Sequence, residues 1–185
     1  MPQSIINEGQ LRMDKTIEAL KKEFALIRTS RANPTVLNNV SVSYYGTPTP
    51  VSQVASVSVP EAQLLVIKPF DKNIIKDIEK AIQMADLNLV PQSDGTVIRI
   101  AFPALTEQKR KEIVKEVKNK AESNKIGIRN IRRDVIDQLK KLEKDGLISE
   151  DDLKKKSDDV QKLTDKFIEK VDALVKEKEN SIMEI

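Results

Sequence analysis

Three long segments of the chain repeat apolar residues at alternating steps of four and three, the spacing that places them on one side of an α-helix. The first segment stops before Pro34, because the residue preceding a proline is disfavoured in helical conformation. The second begins at Thr106, a residue suited to the N-cap, and Gly146 separates it from the third. An apolar stripe is unstable in water alone, so we predict that residues 1–29 and 106–185 pack together as a long three-helix bundle.

The section between the helical segments has a different pattern. Short alternating or apolar runs, typical of β-strands, occupy residues 40–45, 54–59, 64–68 and 97–102, and a helical pattern lies between residues 74 and 85. The proline-containing run Gly46–Pro50 is interpreted as a turn-rich connector. The sequence therefore predicts an α+β protein in which residues 30–105 form a small α/β domain inserted into the bundle.

The chain leaves and re-enters the predicted bundle at two nearby points, around residues 30 and 105. Two short connections can act as a paired hinge, so we expect motion between the domains. The predicted hinge residues are Ser30, Arg31, Ala104, Leu105 and Thr106.

The composition excludes most familiar catalytic sites. The chain has no cysteine and no histidine, so it lacks a thiolate nucleophile, an imidazole base and the usual zinc ligands. Carboxylate, lysine or magnesium chemistry would still be open to it, but no paired acids at suitable spacing occur near either hinge. The pairs Asp151-Asp152 and Asp158-Asp159 could be magnesium ligands, yet acids near a helix N-terminus complement its dipole, which is the interpretation we favour. We expect no catalytic residue, no metal and no cofactor.

No stretch of the sequence approaches the roughly 18 apolar residues that a membrane span requires. The first residues also lack the apolar block of a secretory signal. We therefore expect a cytoplasmic protein without a membrane partner.

Positive charge is concentrated on the second helical segment. Residues 109–133 carry ten Lys or Arg against three Glu, although the net charge of the whole chain is only +3. Six of these cations follow the helical spacing and form a basic stripe, which consists of Lys111, Lys115, Lys118, Lys125, Arg129 and Arg132. Arg133 flanks the stripe, and Arg28 and Arg31 form a second pair at the end of the first helix. Arginine pairs bidentately with phosphate, so the stripe predicts contacts to a folded RNA backbone.

Two other interpretations of the stripe remain open. A basic stripe can be a solvated helix face without any partner. It can also belong to a helical adaptor that binds an acidic protein or a membrane surface. The inserted domain counts against a simple adaptor, and a membrane-surface helix would need bulky apolar anchors on its exposed side.

Six segments, in their order and spacing, resemble the ribosome recycling factor family, and the resemblance runs almost from end to end. The segments are LRMDKTIEAL, IRTSRANP, YYGTPTPV, ALTEQKRKE, RNIRRD and DDVQKLTDKFIEKVD. The resemblance implies an L-shaped molecule about the size of a transfer RNA, with the bundle as the long arm and the inserted domain as the short arm.

The resemblance also implies a function and its partners. The family binds the large ribosomal subunit after translation termination, and the GTPase elongation factor G then drives subunit separation, so the chain itself would be a non-enzymatic monomer. Family members contact ribosomal RNA through arginines that match Arg28, Arg31, Arg129, Arg132 and Arg133, and the stripe adds Lys118 and Lys125 as candidates. One departure is Ser30, which stands where the family usually has glycine; the loss of glycine restricts φ and predicts a stiffer hinge.

Overall fold

The computed structural model describes residues 2–29, 31–85 and 89–184. The chain divides into two compact units. We call Met1–Ala25 with Lys111–Met183 the helical unit, and Leu26–Arg110 with Glu184–Ile185 the inserted unit. The predicted insertion, residues 30–105, falls within the range of the inserted unit. The hinge positions stay a prediction, and Ser30 lies outside the described residues.

In the described residues, five α-helices and six β-strands follow one another, with 3₁₀ turns at Pro34–Leu37 and Lys72–Ile74. In chain order they are α1 (Pro2–Leu26), β1 (Ser41–Tyr44), β2 (Thr47–Pro50), α2 (Val51–Val54), β3 (Ala55–Glu61), β4 (Leu64–Pro69), α3 (Ile75–Met84), β5 (Pro91–Ser93), β6 (Ile98–Ala101), α4 (Glu107–Lys144) and α5 (Glu150–Met183). The predicted α+β class, with long helices and a small mixed domain, is confirmed.

The helical unit consists of α1, α4 and α5, which bury their apolar stripes against one another. The buried stripe residues include Met13, Leu20 and Phe24 on α1, Val117, Ile128 and Val135 on α4, and Val160, Phe167 and Val171 on α5. Hydrogen bonds between side chains, or from side chain to backbone, join the helices at the edges of this core. Asn124 donates to the carbonyl oxygen of Thr16 at 2.9 Å, and Lys156 donates to Gln3 at 3.2 Å. All three predicted long helices are therefore confirmed.

Local capping residues set the ends of the long helices. Thr106 Oγ1 accepts a hydrogen bond from the backbone N–H of Lys109 at 3.1 Å, as an N-cap residue does. Gly146 has a φ of +74°, which a glycine adopts easily after a helix C-terminus. Ser149 and Asp152 form the predicted capping box, and hydrogen bonds from Ser149 lower the pKa of the Asp152 carboxyl.

The inserted unit contains two small antiparallel sheets. The larger sheet has the strand order β3-β4-β6-β5, and the smaller one is the hairpin β1-β2. Residues of both sheets and of α3 share one buried core, including Val42, Leu65, Ile67, Ile78, Ile82, Ile98 and Ile100. The strands predicted at residues 40–45, 54–59, 64–68 and 97–102 correspond to β1, β3, β4 and β6, while the three-residue strand β5 is too short to show a sequence pattern.

The prediction that Gly46–Pro50 is a connector is wrong, because residues 47–50 form strand β2. Tyr44 pairs with Thr47, so the hairpin loop contains only Tyr45 and Gly46, which have φ values of +49° and +80°. Positive φ at both loop residues is the type I′ turn, in which Asn-Gly is the usual sequence. Pro48 and Pro50 are compatible with this strand because a two-stranded sheet consists of edge strands.

Two helical glycines give a matched test of the packing between α1 and α4. A Cβ built on Gly9 would lie 2.5 Å from the Cγ2 of buried Val135, whereas one on Gly127 would meet only Thr16 Cγ2, at 3.8 Å. We expect Gly9→Ala to lower the free energy of unfolding by about 1–3 kcal/mol through overpacking. Gly127→Ala should instead raise it by about 0.5–1 kcal/mol, since alanine favours the helix. Urea unfolding followed by circular dichroism measures both, and equal effects of the two substitutions would contradict this packing.

Candidate nucleic-acid interface

Six of the cations on α4 fall into two rows on one flank of the helix. Residues separated by 4, 7, 14 or 18 positions lie within about 40° of one another around an α-helix, because successive residues turn by about 100°. The row nearer α5 consists of Lys118, Lys125 and Arg132, and we call it the inner row. The row farther from α5, here called the outer row, consists of Lys115, Arg129 and Arg133.

Inner-row residues contact polar side chains of α5. Lys118 Nζ lies 3.6 Å from Glu179 Oε1, and Lys125 forms an ion pair with Asp172. Arg132 Nη1 donates a hydrogen bond to Gln161 Oε1 at 3.1 Å. This is the arrangement by which paired helices use flanking charges to fix their register. The inner row is therefore part of the contact between α4 and α5.

The sequence carries a signal for these contacts that the spacing of the α4 cations alone does not reveal. On α5 the acids Asp158, Asp165, Asp172 and Glu179 are seven residues apart, the same spacing as in the inner row. Two helices that pack along one seam bring such matching repeats together. The RNA-binding roles of Lys118 and Lys125 stay a prediction, but both side chains already have an acidic neighbour.

Outer-row residues face solvent. Arg129 has one acidic contact, with Glu122 Oε1 of the same helix at 3.5 Å. Arg133 and Lys115 are exposed, and within residues 2–29, 31–85 and 89–184 neither has an ion-pair or hydrogen-bond partner for its side chain. The outer row can therefore offer its charge to a phosphate without first breaking many internal bonds.

Arg28 and Arg31 belong to the inserted unit. The prediction that they end the first helix is wrong, because α1 ends at Leu26. Arg28 Nη2 donates to the carbonyl oxygen of Pro103 at 3.0 Å, and its Nε is buried without a partner in the described part of the chain. Arg28 thus joins the segment after α1 to the segment before α4. Arg31 forms an ion pair with Glu184 at 3.3 Å, yet 66% of its side chain is exposed. RNA binding by these two arginines stays a prediction.

The other predicted hinge residues lie just before α4. Leu105 is buried, Ala104 is exposed, and Thr106 caps α4. Their role as a hinge stays a prediction.

Neither a membrane span nor a metal cluster is found in the part of the chain that the structure describes. None of its helices has the length and apolar character needed to cross a bilayer. Nor do three or more acidic side chains come together there in a way that could hold a metal ion. Asp152 accepts a hydrogen bond from the backbone N–H of Ser149 at 3.3 Å, as the acid of a capping box does.

Comparison with known proteins identifies the family. The family model described as ribosome recycling factor matches residues 20–183. The ribosome-recycling factor of Geobacillus sp. (strain WCH70) is 58% identical over 185 residues, covering all of both chains. The chain belongs to the ribosome recycling factor family. The family protein of Bacillus subtilis (strain 168) is 53% identical, again over the full length of both chains.

Solved structures of the ribosome recycling factor family share the fold. A solution structure of a ribosome recycling factor has a TM-score of 0.83 and 38% identity, and the match covers 100% of this chain and 98% of that one. A second match is described as models for the T. thermophilus ribosome recycling factor and the E. coli elongation factor G bound to the E. coli post-termination complex. It matches with a TM-score of 0.68 and 41% identity over 100% of both chains.

The difference between the two rows predicts different effects on stability. Lys125→Ala should lower the free energy of unfolding by about 0.5–1 kcal/mol, because this side chain is only 19% exposed and pairs with Asp172. Arg133→Ala should change it by less than about 0.5 kcal/mol, as is usual for an exposed residue without partners. Urea unfolding measures both, and a double-mutant cycle with Asp172→Asn isolates the pair. The assignment fails if both alanine variants lose the same stability and the cycle shows no coupling.

Proposed function

We propose that this protein is a ribosome recycling factor that binds the large ribosomal subunit after termination and, with the GTPase elongation factor G, promotes separation of the post-termination complex into subunits. Membership of the family over the full chain supports this proposal. The models of a T. thermophilus relative with elongation factor G on a post-termination complex support elongation factor G as the partner and that complex as the target.

The observation that carries the proposal at the level of residues is the arginine group on α4. Arg129, Arg132 and Arg133 lie within five positions, on the flank that contains the inner and outer rows. A guanidinium presents a planar fork of donors to phosphate, and a rigid helix repeats that contact along an RNA backbone. We assign the principal RNA contacts to these three residues.

Four further cations complete the proposed interface. Lys118 and Lys125 keep their pairs with α5, and each ammonium has further N–H donors for a phosphate at the edge of that contact. Arg31 offers an exposed guanidinium, whereas Arg28 keeps its bond to Pro103 and uses its remaining donors. The proposed RNA-binding residues therefore differ in how many contacts they make within the protein, and Arg133 makes the fewest among the described residues.

The protein itself needs no catalytic chemistry for this role. Hydrolysis of GTP belongs to the partner, so we propose a non-enzymatic factor without a cofactor that acts as a monomer in the cytoplasm. The absence of cysteine and histidine from the sequence agrees with this assignment. The hinge at residues 30–31 and 104–106 remains part of the proposal.

The test is binding of Arg132→Ala and Arg133→Ala proteins to purified bacterial large ribosomal subunits at several salt concentrations. Each loss of a phosphate contact should weaken binding by roughly 1–3 kcal/mol, about fivefold to 150-fold in Kd. It should also reduce the slope of log K against log salt by about 1. The matched control is Arg12→Ala, which removes the same charge from α1, where Arg12 pairs with Asp134 at 3.0 Å.

Arg12→Ala should bind like the wild type once the general effect of losing one positive charge is subtracted. If the wild type does not bind the subunit, the proposed function is wrong. If all three arginine variants bind equally well, the subunit contact lies elsewhere, and competition with an acidic protein would then test the adaptor alternative.

A further inference from the structure

The third inner-row contact differs in chemistry from the first two. Lys118 and Lys125 each face a carboxylate directly, from Glu179 and Asp172. The repeat of seven would place Asp165 opposite Arg132. Instead, the neutral amide of Gln161 accepts the hydrogen bond from Arg132 Nη1 at 3.1 Å, and its Nε2 donates to Asp165 Oδ1 at 2.9 Å. An amide therefore stands between the guanidinium and the acid.

The hydrogen bond to Gln161 leaves the positive charge of Arg132 available to a ligand. A guanidinium has five N–H donors, and a carboxylate facing it directly commonly takes two of them and neutralises the charge. A single hydrogen bond to an amide oxygen fixes the side chain but leaves its other donors open to a ligand and its positive charge unneutralised. Asp165 holds the amide in turn, so that its oxygen points at Arg132. A side chain held in this way loses less conformational entropy when it binds a ligand.

We propose that Gln161 of α5 is a positioning residue for the RNA contact of Arg132. It orients the guanidinium while sparing its charge for phosphate, and Asp165 orients Gln161. This inference rests on the proposed function, since it assumes that Arg132 contacts ribosomal RNA. It assigns an RNA-related role to α5, a helix on which no RNA-binding residue was predicted from the sequence.

A substitution that supplies a carboxylate tests the electrostatic part. Gln161→Glu keeps the length of the side chain but places an acid against Arg132, completing the pattern of the first two pairs. We expect binding to large ribosomal subunits to weaken by roughly three- to tenfold, with a reduced salt slope. Gln138→Glu is the matched control, because Gln138 is also exposed but lies on α4 outside both rows. It should bind like the wild type.

A second substitution tests the positioning part. Gln161→Leu removes the acceptor without adding charge, at an exposed helical site where leucine is well tolerated. We expect a weakening of roughly two- to fivefold with an unchanged salt slope, because the charge of Arg132 is still present. A residue with a merely structural role would instead change the unfolding temperature and leave the affinity alone.

An Arg132→Ala background separates this inference from the proposed function. If Arg132→Ala alone does not weaken binding, the assignment of Arg132 fails, and the role of Gln161 fails with it. If Arg132→Ala weakens binding but Gln161→Glu and Gln161→Leu bind like the wild type, only the positioning role is overturned. It is also overturned if Gln161→Glu weakens binding equally with and without Arg132, since the effect would then be one of net charge alone.

Discussion

The burial of α4 between α1 and α5 is the constraint on which the proposed interface depends. On one flank, the backbone of α1 at Gly9 comes so close that a Cβ would overlap Val135. On the other, Lys118 and Lys125 pair with acids of α5. A helix held on both flanks cannot turn about its axis without exposing its apolar seam. The direction in which the outer row points is therefore set by packing and needs no contacts of its own.

Sequence reasoning succeeded where the deciding interactions are local. The helix periodicity, the N-cap at Thr106, the glycine at 146 and the capping box of Ser149 with Asp152 each depend on residues a few positions apart. The type I′ turn is also local, but it was missed because Tyr45 occupies a position where asparagine is usual. Prolines in the following strand added to that error, since they are usual in connectors as well as in edge strands.

The candidate site was predicted only in part, because its chemistry depends on which helices become neighbours. The seven-residue spacing on α4 predicts that its cations lie on one flank of the helix, and the structure places the inner and outer rows on one flank. The spacing does not predict that the α5 repeat containing Asp172 and Glu179 lies against the same flank. A basic repeat that serves RNA binding and one that serves helix pairing have the same spacing, so spacing alone cannot separate the inner row from the outer one.

The difference between the inner-row contacts comes from a residue outside the repeat. Lys118, Lys125 and Arg132 are equally spaced, as are Asp165, Asp172 and Glu179. Gln161 lies one helical turn before Asp165 and takes the place of the acid opposite Arg132. The two lysines consequently stabilise the contact between α4 and α5, while Arg132 is held and remains charged. Cations of one row can therefore serve mainly helix pairing or mainly phosphate binding, and the α5 residue that faces each cation determines which.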